Sequence, residues 1–483
     1  MRRLTSTFVA LVACVATIGA TQTAPSAAAP APAAAATPES LVKSTGLAIL
    51  SPHHLRALSV ADRDAAMSRM VDDLRLFRVQ TVRLEFAIRS DEDVAATLET
   101  LYRPLLSKLA AANIKVIALL DFSLVESGVI NDPYRKRTYV DQFEVEWCDN
   151  PVICHGSPLA PNTSYARYGP VTTFMDKWLS RALITIGTFR DSITAVEILN
   201  EANKTVGQGY YLPPDVCGRL VAKLHYYCKV NETAPCYGKT LITVGMHPAT
   251  DDPGEAELAP IPPSNCKAGQ TGMLQRNNDT CYIDLLYRSP AYTQFREQHA
   301  RYPGDAFGYH PYPWAINGDY DTSDNTLDDL LDLMLGRYAE VRAKLNEWDP
   351  GKYIWLTEAG FDGTYQVADP APAPGVSRAD YSQVVQEQFI IKLHHRFFAL
   401  TGTARPYMLV YYRYHDYINV AEGHLNIYGL VVHRSRDDDP HDSHDDWDHS
   451  TDFTQPPDYK RDVVCTYIEV RRPPSRPPYC LGT

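Results

Sequence analysis

The chain has 483 residues, which corresponds to about three average domains or to one large α/β barrel with insertions. Its composition, with 45% hydrophobic and 22% charged residues, is that of a globular protein and excludes wholesale disorder. Acidic residues outnumber basic residues by 58 to 46, and the resulting net charge of −12 argues against nucleic acid as a partner.

The N-terminus has the features of a secretory signal peptide. Two arginines precede an apolar run over residues 8–20, and small residues follow. We expect residues 1–23 to be a signal peptide and residues 24–40, nearly all Ala and Pro, to be a linker. The run is too short to span a membrane, and no later stretch is apolar enough. The segment ending in Cys14 resembles a lipobox, so a lipid anchor is the alternative to plain secretion.

Secretion would allow the cysteines to form disulfides. Apart from Cys14, the chain has nine cysteines, and six of them pair by proximity as Cys148–Cys154, Cys266–Cys281 and Cys465–Cys480. Two of the three cysteines at positions 217, 228 and 236 would form a fourth bridge, which leaves one cysteine over. A zinc site is the weaker interpretation, because the chain has no C-x-x-C pair.

Short apolar or β-branched runs predict eight strands, and amphipathic patterns between them predict helices. The runs are at residues 46–50, 81–86, 114–120, 193–199, 241–246, 306–309, 353–356 and 408–411. Helical spacing occurs over residues 67–77, 94–109, 174–178, 327–345 and 384–397. Eight strands that alternate with helices predict one α/β domain, a (β/α)8 TIM barrel, over residues 41–435. The long cysteine-containing gaps after the third, fourth and fifth strands would be disulfide-stapled insertions. Residues 436–483, first Asp/His-rich and then Pro-rich, would form a short disulfide-closed tail.

Catalytic residues of such barrels lie at the C-terminal ends of the strands. Here those ends carry Arg83, Glu85, Asp121, Asn200, Glu201, His247, His310, Tyr312, Glu358, Tyr411 and Tyr412. Glu201 and Glu358 stand out, because each follows an apolar strand directly. Glycoside cleavage needs two carboxyl groups, one to protonate the leaving oxygen and one to attack the anomeric carbon. A single glutamate in such a place is often a solvated loop acid or an ion-pair partner, but two of them, on the fourth and seventh strands, favour a catalytic pair.

The segments around these glutamates resemble a known clan of enzymes. Residues 196–203, VEILNEAN, resemble the W-E-x-x-N-E-P-N segment of clan A retaining glycoside hydrolases. Residues 355–361, WLTEAGF, are similar to the clan's strand-seven segment I-T-E-x-G, and residues 310–312 resemble its strand-six His-x-Tyr. Arg83 resembles its strand-two arginine. The resemblance covers residues 44–433 and is nearest to families 5 and 39, which are cellulase-like and xylosidase-like.

The resemblance implies a role for each glutamate. Glu201 would be the general acid and then the general base, and Glu358 would be the nucleophile. Arg83 and the hydroxyl of Tyr312 would keep Glu358 ionised. Asn200 would bind the 2-hydroxyl of the sugar.

The predicted substrate-binding residues are Arg83, Asp121, Asn200, His310, Tyr312, Trp314 and Tyr412. Asp121 and Tyr412 depart from the clan's pattern, which has His and Trp in these places in other members, and Trp314 would stack on a sugar or pack in the core. Several of them have a structural alternative. Arg83 could pair with Glu85 or Asp121, His310 could be a satisfied barrel histidine, and Tyr312 could be loop packing. Glu197 lies on the same side of its strand as Glu201 but deeper, and we interpret it as buried structure.

The sequence therefore predicts a secreted, monomeric retaining glycoside hydrolase that acts on poly- or oligosaccharides without a metal or cofactor. A non-catalytic carbohydrate-binding barrel that keeps the pocket is the first alternative, and a metal-dependent barrel hydrolase is the second. The acidic and histidine residues between positions 437 and 449 could bind a cation, but their spacing fits no EF-hand and favours a solvated loop. Motifs of zincins, serine hydrolases and P-loop proteins are missing from the sequence.

Overall fold

The computed structural model describes most of the predicted barrel. The described residues are 44–89, 92–126, 169–203, 212, 214–248, 278–313, 324–363, 367–369, 371, 378–419, 424–432, 451–471 and 480. The predicted signal peptide and linker, Trp314 and the Asp/His-rich segment lie outside these residues, so the statements below do not concern them.

Eight parallel strands form a closed barrel, each hydrogen-bonded to the next in sequence and the last to the first. This confirms the predicted fold. The strands are β1 (Thr45–Ala48), β2 (Thr81–Glu85), β3 (Lys115–Leu120), β4 (Ile193–Ile198), β5 (Thr240–Met246), β6 (Ala306–Tyr309), β7 (Tyr353–Ala359) and β8 (Met408–Tyr411).

Helices follow the strands and cover the barrel. They are α1 (Val60–Leu76), α2 (Val94–Thr97), α3 (Arg103–Ala111), α4 (Ser123–Glu126), α5 (Gly169–Thr188), α6 (Pro214–His225), α7 (Asp279–Arg288), α8 (Pro290–His299), α9 (Leu327–Trp348), α10 (Arg378–Phe398) and α11 (Arg461–Glu469). Two π-helical turns, Leu98–Tyr102 and Tyr226–Val230, and two 3₁₀ turns, Pro52–Leu55 and Gly402–Ala404, complete the helical elements of the described residues. Side chains define several starts. At α9, for example, Thr326 accepts from the Asp329 backbone N–H and the Asp329 carboxylate accepts from the Thr326 N–H.

The barrel has two separate apolar layers. The larger one lies between strands and helices. The smaller one fills the interior with residues from seven strands, namely Ala48, Ile117, Ala195, Ile242, Ala306, Trp355, Met408 and Val410. On the remaining strand, β2, Arg83 lies in register with Ala48 and Ile117 and is buried. Because strand side chains alternate, Glu197 faces the interior like Ala195, two residues before it. Charged side chains therefore lie beside the smaller apolar layer in the barrel interior.

The chain after β8 adds two small antiparallel sheets. One pairs β9 (Tyr417–Asn419) with β10 (His424–Asn426), and the other pairs β11 (Val431–Val432) with β12 (Asp458–Tyr459). Residues 451–471 fall within the predicted tail but pack on the barrel. Arg471 is buried, donates to Thr45 Oγ1 over 2.7 Å, and also donates to the carbonyls of Phe77 and Arg78. This segment thus covers the start of β1.

The described cysteines include two complete disulfides. Cys465–Cys480 is bonded as predicted, and Cys228–Cys236 is the fourth bridge, which leaves Cys217 as the free, buried thiol of that group. Cys281 is also disulfide-bonded, and its partner lies outside the described residues. The predicted Cys148–Cys154 pair lies there as well. None of the helices described here is both long enough and apolar enough to cross a bilayer.

Candidate active site

Glu201 follows β4 on a strained piece of backbone. Leu199 and Glu201 both have left-handed φ angles, 66° and 47°, which non-glycine residues rarely adopt. Hydrogen bonds to both neighbouring strands hold them there. Leu199 N–H donates to the Leu120 carbonyl over 3.0 Å, and Glu201 N–H donates to the Gly245 carbonyl over 2.7 Å. Strain of about 1–3 kcal/mol per residue persists where the surroundings impose it, and it is concentrated at functional sites.

The Glu201 carboxylate lies between two histidines. Its Oε1 is 3.0 Å from Nδ1 of His310 and 3.3 Å from Nδ1 of His247. Asn203 fixes His247 through two hydrogen bonds, since its amide donates to the His247 carbonyl over 2.8 Å and accepts from the His247 N–H over 2.9 Å. His247 was expected at a strand end but not among the residues of the site. Its position directly after β5 was the available signal.

Both oxygens of Glu358 accept hydrogen bonds, and Glu358 itself is only 7% exposed. Oε1 accepts from Arg83 Nη1 over 2.5 Å, and Oε2 accepts from the Tyr312 hydroxyl over 2.7 Å. Burial and then the charge of Glu358 raise the pKa of Tyr312 well above its usual value, so the phenol keeps its proton and donates. Two donors, one of them a guanidinium, therefore hold both oxygens of this carboxyl group.

Arg83 distributes its guanidinium over three acceptors. Nε donates to Glu197 Oε2 over 2.5 Å, Nη1 to Glu358, and Nη2 to Asn200 Oδ1 over 2.8 Å. Burial alone would lower its pKa, but the carboxylates of Glu197 and Glu358 raise the pKa above the usual arginine value. Arg83 therefore pairs with these two glutamates and not with Glu85 or Asp121, the partners of the structural alternative.

His310 is fully buried and contacts three carboxyl groups. In addition to Glu201, its Nδ1 lies 3.6 Å from Glu358 Oε2, and its Nε2 lies 3.5 Å from Glu197 Oε1 and 3.0 Å from the Thr357 hydroxyl. Burial would lower its pKa, but the charge of Glu358 and the contacts with Glu197 and Glu201 raise the pKa to about 9. These contacts favour the imidazolium form of His310.

Asp121 lies beside the strained segment. Its Oδ1 accepts from the backbone N–H of Asn200 over 2.9 Å. Burial, and next the nearby charge of Glu85, raise the pKa of Asp121 to about 8. The sequence suggested that Asp121 binds substrate, but its hydrogen bond favours a role in supporting the backbone of Asn200.

Three tyrosines line the site next to Glu358. The Tyr412 ring meets Tyr312 edge-on at 6.4 Å and Tyr428 at 5.2 Å between centroids. Arg413, joined to Tyr412 by a cis peptide bond, lies 5.3 Å from the centroid of that ring. Tyr428 was not foreseen, because it lies in the long segment after the last barrel strand. Trp314, the expected stacking residue, is outside the described residues.

Two groups of side chains in the described residues have donor atoms close enough for a metal ion. In each group, Glu201–His310–Glu358 and His53–His54–Glu85, one atom per residue lies within 4.8 Å of the others. The first group contains a cationic imidazole and a carboxylate already bound to an arginine, which does not fit a divalent cation. In the second, burial and then nearby arginine charges lower the pKa of His53 to about 3, and the same positive charges oppose a metal ion.

The fold and the site together define a (β/α)8 barrel with paired carboxyl groups at the ends of β4 and β7. No protein-family model matches the chain, and no curated protein sequence matches it either. In solved structures the chain is similar to a family 39 glycoside hydrolase from Bacteroides cellulosilyticus WH2, with 13% identity, a TM-score of 0.43 and coverage of 89% of this chain and 64% of that one.

Two further similar structures have comparable scores. GH5_18 from Streptomyces cattleya, solved in complex with GlcNAc, has 12% identity, a TM-score of 0.46 and coverage of 90% of this chain and 81% of that one. The endo-1,4-beta-mannanase from Rhizomucor miehei has 12% identity, a TM-score of 0.43 and coverage of 80% and 89%. The chain spans 64% of the length of the family 39 structure.

Proposed function

We propose that this chain is a secreted retaining glycoside hydrolase that cleaves O-glycosidic bonds of extracellular poly- or oligosaccharides. One observation carries the proposal. A carboxylate oxygen of Glu201 and one of Glu358 lie within 4.8 Å of each other. Retaining enzymes hold their two carboxyl groups about 5–5.5 Å apart, whereas inverting enzymes need about 6.5–9.5 Å to admit a water molecule. The two carboxyl groups are therefore close enough to act on the same glycosidic bond, as double displacement requires.

In the first step, Glu358 attacks the anomeric carbon while Glu201 gives its proton to the glycosidic oxygen. The carbon–oxygen bond to the leaving group breaks, the departing sugar leaves as an alcohol, and a glycosyl ester forms on Glu358. Arg83 and Tyr312 hold the attacking carboxylate in one orientation, which supports catalysis through positioning.

In the second step, Glu201 acts as a base. It removes a proton from water, the resulting hydroxyl group bonds to the anomeric carbon, and Glu358 leaves as a carboxylate. The proton of Glu201 is thereby restored, so the cycle balances. The two imidazoles beside Glu201, His310 and His247, keep this carboxyl group in place through both steps.

The disulfides support the proposed location. Cys228–Cys236 and Cys465–Cys480 are bonds that persist in oxidising compartments. Together with the predicted signal peptide, they favour secretion and a substrate outside the cell.

The direct test is sugar release from plant, fungal and bacterial-wall glycans by the wild type, with Glu358→Gln and Glu201→Gln beside it. Glu92→Gln is the control, because Glu92 pairs with Arg56 outside the site. We expect release by the wild type and the control only. NMR of the first product should show the anomeric configuration of the substrate, since two displacements restore it. Binding without release from any glycan would instead indicate a carbohydrate-binding barrel, and an inverted product would rule out double displacement.

A further inference from the structure

Glu197 is a third carboxyl group beneath the proposed catalytic pair. It lies within β4, is fully buried, and faces the barrel interior. Burying a carboxylate in a protein interior is costly unless it is paired. Two cationic groups meet this requirement, since Arg83 Nε is 2.5 Å from Oε2 and His310 Nε2 is 3.5 Å from Oε1. Although burial alone would raise it, these neighbours lower the pKa of Glu197 to about 2, so the group stays ionised.

The backbone of β5 leaves the space for this contact. A Cβ atom on Gly245 would lie 2.4 Å from both Glu197 Oε1 and His310 Nε2. Only glycine lets β5 pass this close to the pair. Glu197 and His310 can therefore lie in contact only because residue 245 is a glycine.

The charges of the site balance only with Glu197 ionised. Arg83 and the His310 imidazolium supply two positive charges, and Glu197 and Glu358 supply two negative charges. The remaining carboxyl group, Glu201, can then carry the proton that the first step requires without leaving the site charged. If Glu197 were neutral, the same arrangement would have one buried positive charge in excess, and His310 would release its proton more easily.

We propose that Glu197 is a positioning residue, the buried counter-ion that holds Arg83 under the nucleophile and keeps His310 as an imidazolium beside the acid. The proposal rests on the proposed function for the roles of Glu201 and Glu358. Glu197 itself touches no reacting atom, and it acts through Arg83 and His310.

The surroundings of His310 show which groups can alter its charge. Three carboxyl groups face it directly, namely Glu197 on β4, Glu201 after β4 and Glu358 on β7. Arg83 on β2 contacts Glu197 and Glu358, and His247 after β5 contacts Glu201. The ring centroid of Tyr312 is 6.3 Å from that of His310. Thr357 is a neutral partner. Of the three carboxyl groups, Glu197 is the one that takes no part in the proposed chemistry.

The test is Glu197→Gln in the full chain, with the His310 imidazole followed by NMR of ¹⁵N-labelled histidine across pH. His310→Asn assigns the signal by its loss. We expect the pKa of His310 to fall by at least about one pH unit when this carboxylate is neutralised. We also expect kcat to fall by about 10²-fold with little change in KM, because the reacting groups lose their alignment. The alkaline limb of the pH–rate profile should move to lower pH.

Asp279→Asn is the matched control, because Asp279 is also fully buried and paired with an arginine, Arg337, but outside the site. It should leave the His310 titration unchanged. If Glu197→Gln does not fold, Glu197→Asp keeps the charge at a longer distance and should still lower the pKa of His310 and kcat. If the pKa of His310 in either folded variant equals that of the wild type, the proposal is overturned. Because the titration needs no turnover, this outcome is separate from a failure to find any cleaved glycan.

Discussion

Arg83 Nη1 on β2 and Glu358 Oε1 on β7 lie 2.5 Å apart across the mouth of the barrel. The same guanidinium reaches Glu197 with Nε and Asn200 with Nη2. A planar guanidinium can serve acceptors in three directions, and the ammonium of lysine is a compact charge that cannot reproduce this geometry. Arg83 thus links the ends of three strands through one rigid group.

Arg83→Lys should therefore impair both activity and stability. At least one buried carboxylate would lose its partner, and breaking a buried ion pair costs about 3–5 kcal/mol. We expect sugar release to fall by at least about 10²-fold, because Glu358 is no longer held in place. The measurements are kcat/KM and denaturant unfolding.

Arg181→Lys is a suitable control for this variant, because Arg181 also bonds several acceptors, the carbonyls of Ile88, Leu124 and Val125, without touching the site. It should lose some stability and keep its kcat. Equal losses of kcat in both variants would contradict a specific role for Arg83.

Gly245→Ala tests the space between β5 and the buried ion pair. The new Cβ would lie 2.4 Å from both Glu197 Oε1 and His310 Nε2, so these side chains must move. We expect a loss of stability of roughly 1–3 kcal/mol from overpacking, together with a loss of activity. The measurements are the midpoint of thermal unfolding and the rate of sugar release.

Gly336→Ala is the control, at a position where an added Cβ atom has free space. Gly336 lies within α9, and nothing lies within 4 Å of a Cβ added there. Alanine should stabilise this helix by about 0.5–1 kcal/mol and leave activity unchanged. If the Gly245→Ala enzyme is as stable and as active as the Gly336→Ala enzyme, then β5, Glu197 and His310 can move apart to accept the methyl group, and glycine is not required at position 245.

The sequence indicated much of the barrel, because strands buried on both faces are runs of apolar residues that stand out from amphipathic helices. The runs at 306–309 and 408–411 coincide with β6 and β8. The run at 353–356 was too short, because β7 continues through Glu358 to Ala359. A prediction from apolar residues stops at the first polar residue. In β7 the backbone nevertheless continues as a strand through Thr357 and Glu358, whose side chains find polar partners inside the barrel.

The parts of the site that the sequence did not indicate depend on contacts between distant strands. Glu197 was interpreted as buried structure, since nothing in β4 shows that Arg83 and His310 face it from other strands. His247 lies beside Glu201 because Asn203 and the bond from the Glu201 N–H to the Gly245 carbonyl tie the two strand ends together. The left-handed φ of Glu201 has no local signal such as glycine. Spacing can place a residue at a strand end but cannot show which way its backbone turns.

Treatment with a chelator should leave sugar release unchanged. The donor atoms of Glu201, His310 and Glu358 are close together, but an imidazolium and an arginine already supply the positive charge at this point. The measurement is the initial rate before and after dialysis against EDTA, followed by Zn²⁺ or Ca²⁺. A loss that the metal restores would favour the metal-dependent barrel hydrolase.

Asp121→Asn should make stability less dependent on pH. Burial and the charge of Glu85 raise the pKa of Asp121 to about 8 in the folded protein, whereas in the unfolded chain this pKa is near its ordinary value of 3.8. A raised folded pKa means that the group's contribution to stability is fully present below the unfolded pKa and is lost as pH rises through about 8. Asparagine has no proton to lose, and its Oδ1 can still accept from the Asn200 N–H.

The advantage of Asp121→Asn over the wild type in thermal unfolding should therefore grow from about pH 5 to about pH 9. Asp121→Ala, which removes the acceptor for the Asn200 N–H, should be less stable than the wild type at the acid end, where the buried aspartate carries no charge. A difference between Asp121→Asn and the wild type that stays constant over this range would mean that Asp121 is already ionised in the folded state. In that case the charge of Arg83, two strand positions from Glu85, would be the dominant influence on this carboxyl group.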